Sequence, residues 1–234
     1  MPARRPGSIR RMARRGDLNG WWRFGIAVLG PLARAFFRLR VEGIDNVPRS
    51  GPAIVAANHV SALDGVLLAL VVGRRRRRMT RFLTAAEFFA KLKFGWALRL
   101  YRQIPLRRGE GDVGALDEAI GTIRSGALAG IFPEGRVNPA PDDGLQRGRT
   151  GVARVALAAG VPVVPVGIWG TQVRWPKAGL RFGRPWRPVA SLSFGSPIHL
   201  EGDPESTDHT RRSVEGLMAR IAERVEAARR LAAS

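Results

Sequence analysis

Seven short, apolar and β-branched-rich runs constrain this chain more than any other feature of its sequence. They occupy residues 39–42, 53–57, 81–85, 103–106, 128–132, 163–168 and 189–194. Such lengths suit strands, and they are too short for buried helices. Helix-like patterning lies between several of them, near 62–72, 87–100, 112–125 and 149–159, and Gly160-Val161-Pro162 supplies a stop after the last. Strands alternating with helices argue for an α/β domain whose sheet is flanked by helices. Ligands of such sheets gather at the carboxyl ends of strands. The unusual residues of this chain fall there.

Composition narrows the function classes. With 45% hydrophobic residues in 234, the chain can build one real core, which excludes disorder throughout. Zero cysteines exclude a disulfide scaffold, a zinc ribbon and a cysteine acyl-enzyme, and are compatible with a reducing compartment. Lys and Arg number 39 against 19 Asp and Glu, a formal net charge of +20. Only three of the basic residues are Lys, and an arginine bias partly reflects coding composition. The remaining excess points to a polyanion: nucleic acid, an anionic membrane surface or a phosphorylated substrate. A nucleic-acid-binding module would leave the ordered motifs below unexplained, and the sequence has no zinc finger or aromatic-glycine RNA signature.

Four segments are expected. Residues 1–19 read as a disordered basic arm, 20–40 as an interfacial amphipathic helix, 41–200 as the main domain and 201–234 as a C-terminal helical tail. No stretch reaches the roughly 18 apolar residues of a spanning helix. A helix over 21–39 would offer Trp21, Trp22, Phe24, Phe36 and Phe37 as anchors, with Arg23, Arg34 and Arg38 for lipid head groups. The same helix could simply pack on the domain. A signal peptide cut near Ala33-Arg34-Ala35 is a third reading, disfavoured by the long leader and by Asp17. The run Arg74 to Arg78 reads either as a solvated loop or as a contact for an anionic surface. In the tail, Val214, Leu217, Met218, Ile221 and Val225 recur at helical spacing, as in a packed terminal helix.

Three clusters carry chemistry. Asn58-His59-Val60-Ser61-Ala62-Leu63-Asp64 follows the run 53–57 directly. With His59 in a turn and Asp64 in the first helical turn, the carboxylate could fix the imidazole tautomer and leave its other nitrogen as a general base. Ser61 and Asp64 also fit a capping box, so Asp64 could merely cap a helix while His59 fills a loop. Phe132-Pro133-Glu134-Gly135-Arg136 follows another strand-like run, and either binds a phosphorylated group or forms an ordinary turn. Ile104-Pro105-Leu106-Arg107-Arg108 ends in two arginines that read as a phosphate clamp or as a charged strand end.

Taken in order with Val161-Pro162-Val163-Val164-Pro165-Val166, these clusters resemble the motifs of the glycerolipid acyltransferase family, which includes bacterial 1-acylglycerol-3-phosphate acyltransferases. The resemblance covers about residues 41–200. It implies a single domain with a central mixed sheet flanked by helices. It also implies acyl transfer from acyl-CoA or acyl carrier protein to the hydroxyl of a lysophospholipid, 1-acylglycerol-3-phosphate above all, with another lysolipid acceptor as the alternative. His59 would be the catalytic base and Asp64 its orienting partner. Asn58, Arg107, Arg108, Glu134, Gly135 and Arg136 would serve the substrate. Pro162 and Pro165 match a motif assigned to the acyl donor or to architecture. No metal or cofactor is implied. The expected location is the cytoplasmic side of the cell membrane, peripheral or monotopic. Two departures bear on the acceptor: Arg136 stands where the family commonly has Thr and Val137 where it has Arg, and Arg102 replaces a frequent Gly. Oligomeric state is left open.

Overall fold

The computed structural model describes residues 17–90, 92–106 and 113–234, with the side chains of 92–94, 106 and 113–116 outside that description. The chain runs α1 (Gly20–Phe36), β1 (Arg38–Glu42), β2 (Ala53–Ala57), α2 (Asp64–Arg76), β3 (Thr80–Ala85), α3 (Leu92–Leu100), β4 (Ile104–Leu106) and α4 (Val113–Arg124). It continues through β5 (Leu128–Ile131), α5 (Thr150–Ala159), β6 (Val163–Trp169) and β7 (Val189–Phe194) to α6 (Thr207–Ala233). The strands form one sheet in the order β1-β7-β6-β2-β5-β3-β4. All neighbours are parallel except β6 and β7. The mixed sheet with flanking helices is therefore present.

The middle of the sheet explains the apolar runs. Every residue of β2 is buried. Ala53, Val55 and Ala57 pack with Leu68 and Val72 of α2, whereas Ile54 and Ala56 join the cluster of α4, α5 and α6 on the other face. A strand covered on both sides needs apolar residues at every position, because period two sends alternate side chains to opposite layers. The tail helix α6 lays Val214, Leu217, Ile221 and Val225 into that second layer. Burying each such side chain stabilises by about 1.5–3 kcal/mol.

The N-terminal helix packs on the domain through one set of side chains and keeps another set exposed. Asn19 caps it by accepting from Trp22 N–H. Trp22 is buried, and its indole N–H donates to the Tyr101 carbonyl at 3.1 Å. Phe37 is buried against α2. These two residues are domain-packing groups rather than lipid anchors. Trp21, Phe24, Val28, Leu29, Leu32 and Phe36 remain exposed along α1. The helix stops at Phe36, short of residue 39, because Arg38 N–H donates to Pro188 O and the chain joins β7 as a strand.

Two basic segments also differ from expectation. Residues 1–16 of the basic arm lie outside the described residues, but Asp17 is held, accepting from Met79 N–H at 2.6 Å. In the Arg74 to Arg78 run the helix continues through Arg76. Arg76 is buried, donating to Val47 O and Asp45, and Arg78 is buried, donating to Pro48 O and Gly126 O. Burial shifts both guanidinium pKa values down. These two side chains tie loops together. Arg74, Arg75 and Arg77 are the exposed members.

Candidate active site

Strand order brings the motifs together. β6, β2 and β5 are adjacent and parallel, so the turns after their carboxyl ends meet. Those turns carry Asn58 and His59, Phe132 to Glu134, and Thr171.

His59 Nδ1 lies 3.0 Å from Asp64 Oδ2. The same oxygen accepts from Val60 N–H at 2.7 Å and Ser61 N–H at 2.8 Å, and Oδ1 accepts from Thr171 Oγ1 at 2.6 Å. Asp64 is fully buried. Its carboxylate thus folds the corner and faces the imidazole at once. Only part of the capping box forms: Asp64 reaches back to Ser61 N–H, while Ser61 Oγ accepts from Leu63 N–H. As an acceptor, Asp64 favours the proton on Nδ1 and leaves Nε2 with a lone pair. The imidazole side chain is 18% exposed and lines a cavity of about 890 Å³. Its ring stacks on Phe132 at 4.1 Å, and Phe132 stacks on Phe82 at 5.5 Å. Two contacts, one at the ring edge and one at its face, fix the imidazole plane.

The turn after β5 supports this corner. Glu134 is buried; its Oε1 accepts from His59 N–H at 2.8 Å, and its Oε2 accepts from Gln146 N–H and Nε2. Burial raises the Glu134 pKa against the lowering effect of these hydrogen bonds. Its carboxylate is spent on the backbone of His59 and on Gln146, so it positions His59. Gly135 takes φ +69°, and a Cβ there would fall 2.7 Å from Arg149 Nε.

The remaining candidates separate clearly. Asn58 is buried, with its amide donating to Ile168 O and accepting from Ile168 N–H. It clamps β2 to β6 and is not among the residues that line the cavity. Arg136 is exposed, outside the cavity lining, and donates to Gln146 Oε1 at 2.7 Å. Arg107 and Arg108 lie outside the described residues. Pro162 and Pro165 belong to the sheet, not to the cavity: Pro162 O accepts from Ile54 N–H, and Pro165 O from Gly195 N–H. Pro165 precedes the antiparallel register with β7, where a strand tolerates a missing donor. Their place is architectural.

Sequence reasoning missed Thr171 and Arg149. Thr171 stands just past the end of β6, the strand beside β2, so its position was a usable signal. Arg149 is the N-cap residue just before α5 and lines the cavity with His59 and Gly135. Among so many arginines it carried no distinguishing mark. The rest of the cavity wall is largely apolar, including Ile26 and Leu29 of α1, Val66 and Leu70 of α2, and Leu98.

The sequence and fold match known proteins. The family model described as acyltransferase matches residues 38–169. An uncharacterized protein of Mycobacterium tuberculosis is 32% identical over 197 residues, covering 76% of this chain and 53% of the relative. A chloroplastic 1-acyl-sn-glycerol-3-phosphate acyltransferase of Arabidopsis thaliana is 31% identical over 139 residues, covering 58% of this chain and 37% of that protein. The chain thus spans about half or less of the length of these relatives. The crystal structure of the 1-acyl-sn-glycerophosphate acyltransferase from Thermotoga maritima superposes with a TM-score of 0.65 at 29% identity, covering 88% of this chain and 80% of that one. With more than half of its length in the family match and the same fold behind it, this chain belongs to the acyltransferase family, among the glycerolipid acyltransferases.

Proposed function

We propose that the protein transfers a fatty acyl group from an acyl thioester, acyl-CoA or acyl carrier protein, to the free hydroxyl of a lysophospholipid. The best-supported acceptor is 1-acylglycerol-3-phosphate, giving phosphatidic acid; it is the acceptor named for the plant and Thermotoga relatives. The observation that carries the reading is the His59–Asp64 pair opening on a large, mostly apolar cavity. His59 Nε2 takes the hydroxyl proton while the oxygen adds to the thioester carbonyl carbon. Collapse breaks the C–S bond, and the imidazolium returns the proton to the leaving thiolate. Asp64 stabilises that imidazolium. The N–H groups of His59, Val60 and Ser61 are committed to Glu134 and Asp64, so the oxyanion takes its donors elsewhere. The chemistry calls for no metal or cofactor beyond the thioester.

Of the two arginines that line the cavity, Arg154 donates to Pro204 O, which leaves Arg149 as the described guanidinium best placed for the acceptor phosphate; Arg136 turns to Gln146. That exchange keeps a different lysolipid acceptor as the second reading. The protein would work at the cytoplasmic face of the membrane as a peripheral or monotopic protein. The exposed apolar side chains of α1 support this, and among the described residues no helix is long and apolar enough to cross a membrane. Buried Arg76 and Arg78 have structural roles, which weakens the nucleic-acid reading of the net charge. Purified protein given labelled acyl-CoA or acyl carrier protein and a panel of lysolipids tests the proposal. Transfer to the phosphate-bearing acceptor, lost in His59→Ala, is the expected result; no transfer to any lysolipid would overturn it.

A further inference from the structure

Between the turn Thr171–Val173 and β7, residues 174–188 form neither helix nor strand, yet they are held firmly from inside. Arg174 is only 4% exposed. Its guanidinium donates to Gly183 O at 3.1 Å, to Pro185 O at 2.7 Å and to Trp186 O. Arg181 N–H returns to Arg174 O at 2.7 Å. Three carbonyls on one buried guanidinium fix the backbone of a loop that has no core of its own. Both ends are anchored as well. Trp175 O accepts from Ala62 N–H, two residues before Asp64, and Arg187 donates to Arg34 O at the end of α1.

What this scaffold presents is unusual for a surface exposed to water. Trp186 is 75% exposed, Phe182 70% and Leu180 50%. Exposed Lys177, Arg181, Arg184 and Arg187 are interleaved with them, and no Asp or Glu occurs from 170 to 200. Isolated exposed apolar residues need no explanation, but large aromatics clustered on a pinned loop do. Aromatic and basic side chains mixed in this way suit the head-group zone of a bilayer, where rings enter the interface and cations meet phosphate.

We propose that the 174–187 loop is a second lipid-contacting element, separate from α1, which inserts Phe182 and Trp186 into the interface of an anionic bilayer. Because its ends join Ala62 and α1, docking there holds the His59 corner close to the membrane surface.

The test uses the full chain with Phe182→Ser and Trp186→Ser combined, and a second variant with Lys177→Gln, Arg181→Gln and Arg184→Gln. Co-sedimentation is measured with phosphatidylglycerol-containing vesicles and with pure phosphatidylcholine vesicles, with circular dichroism as the folding control. Partition of the folded aromatic variant into anionic vesicles should fall about tenfold or more. The charge variant should lose binding to anionic vesicles alone. Emission from Trp186, taken as the difference between wild type and Trp186→Phe, should be quenched by brominated lipid, a readout that needs no acyl transfer. Partition within about twofold of wild type for the aromatic variant, or an unquenched Trp186, would overturn the proposal. Vesicle binding retained while binding to acyl carrier protein is lost would assign the loop to an acidic protein instead.

Discussion

The corner after β2 and the turn after β5 sit side by side at neighbouring strand ends, and both are rich in polar residues, yet they do different work. In the first, the residues proposed to handle the proton are themselves the structure: Asp64 folds its own loop with the carboxylate that faces His59. In the second, the carboxylate lies outside the cavity lining. Glu134 holds the backbone of His59 and Gln146, and it is Arg149, at the start of the next helix, that lines the cavity. A motif therefore mixes residues that act with residues that hold the actors. Both carboxylates are buried and hydrogen-bonded; what tells them apart is the partner, an imidazole for Asp64 and backbone N–H groups for Glu134.

The largest expected effects fall on the corner. His59→Ala should lower kcat by about 10² to 10⁴ with the fold intact, the usual worth of a general base. Steady-state kinetics beside circular dichroism would check it, and a variant keeping more than about a tenth of wild-type kcat would remove His59 from that role. Asp64→Asn is expected to be similarly severe, because it disturbs both the tautomer and the loop. Arg149→Ala should act differently, raising KM for a phosphate-bearing acceptor about tenfold while KM for the thioester changes little. An equal loss with an acceptor lacking phosphate would break the division between the two turns.

Smaller effects sharpen the same contrast. Gly135→Ala places a Cβ against Arg149 and forces an unfavourable backbone, so it should cost about 1 kcal/mol of stability and shift acceptor KM in the same direction as Arg149→Ala. Denaturant titration with acceptor kinetics reads both. Glu134 offers the most delicate test. Its folded pKa is raised by burial, so its stabilising contribution is present below the ordinary glutamate pKa and is lost as pH rises through the raised value. The stability of wild type relative to Glu134→Gln should therefore decline as pH rises from the ordinary glutamate value, about 4.3, through the raised one, and other carboxylates cancel in the comparison. A constant difference across that range would mean that burial does not shift this group.

Much of the fold was legible because the signals were local. The extents of β2 and β7 were readable to the residue from their apolar runs, and the tail helix from its spacing. The two terminal helices show the limit. Both have amphipathic patterns, but α6 buries its stripe against the sheet while α1 leaves much of one exposed and turns Trp22 inward. Periodicity reveals that a stripe exists, not what covers it. The arginines show the same limit, since Arg76, Arg78 and Arg174 each look surface-bound in sequence and each closes a loop from within.

By itself, the sequence determined the sheet-forming runs, the helix-forming segments between them and the polar groups at their ends, because strand length, period and capping depend on near neighbours. It also placed His59 and Asp64 close enough to pair. Only the tertiary structure decided that Thr171, 107 residues beyond Asp64, completes that carboxylate, that Arg149 and not Arg136 reaches the cavity, and that Asn58 and Glu134 serve the backbone. The physical reason is the strand order. Parallel β6, β2 and β5 become neighbours through crossovers, and which side chain finds water, a carbonyl or a ligand at their common edge depends on contacts that no local pattern encodes.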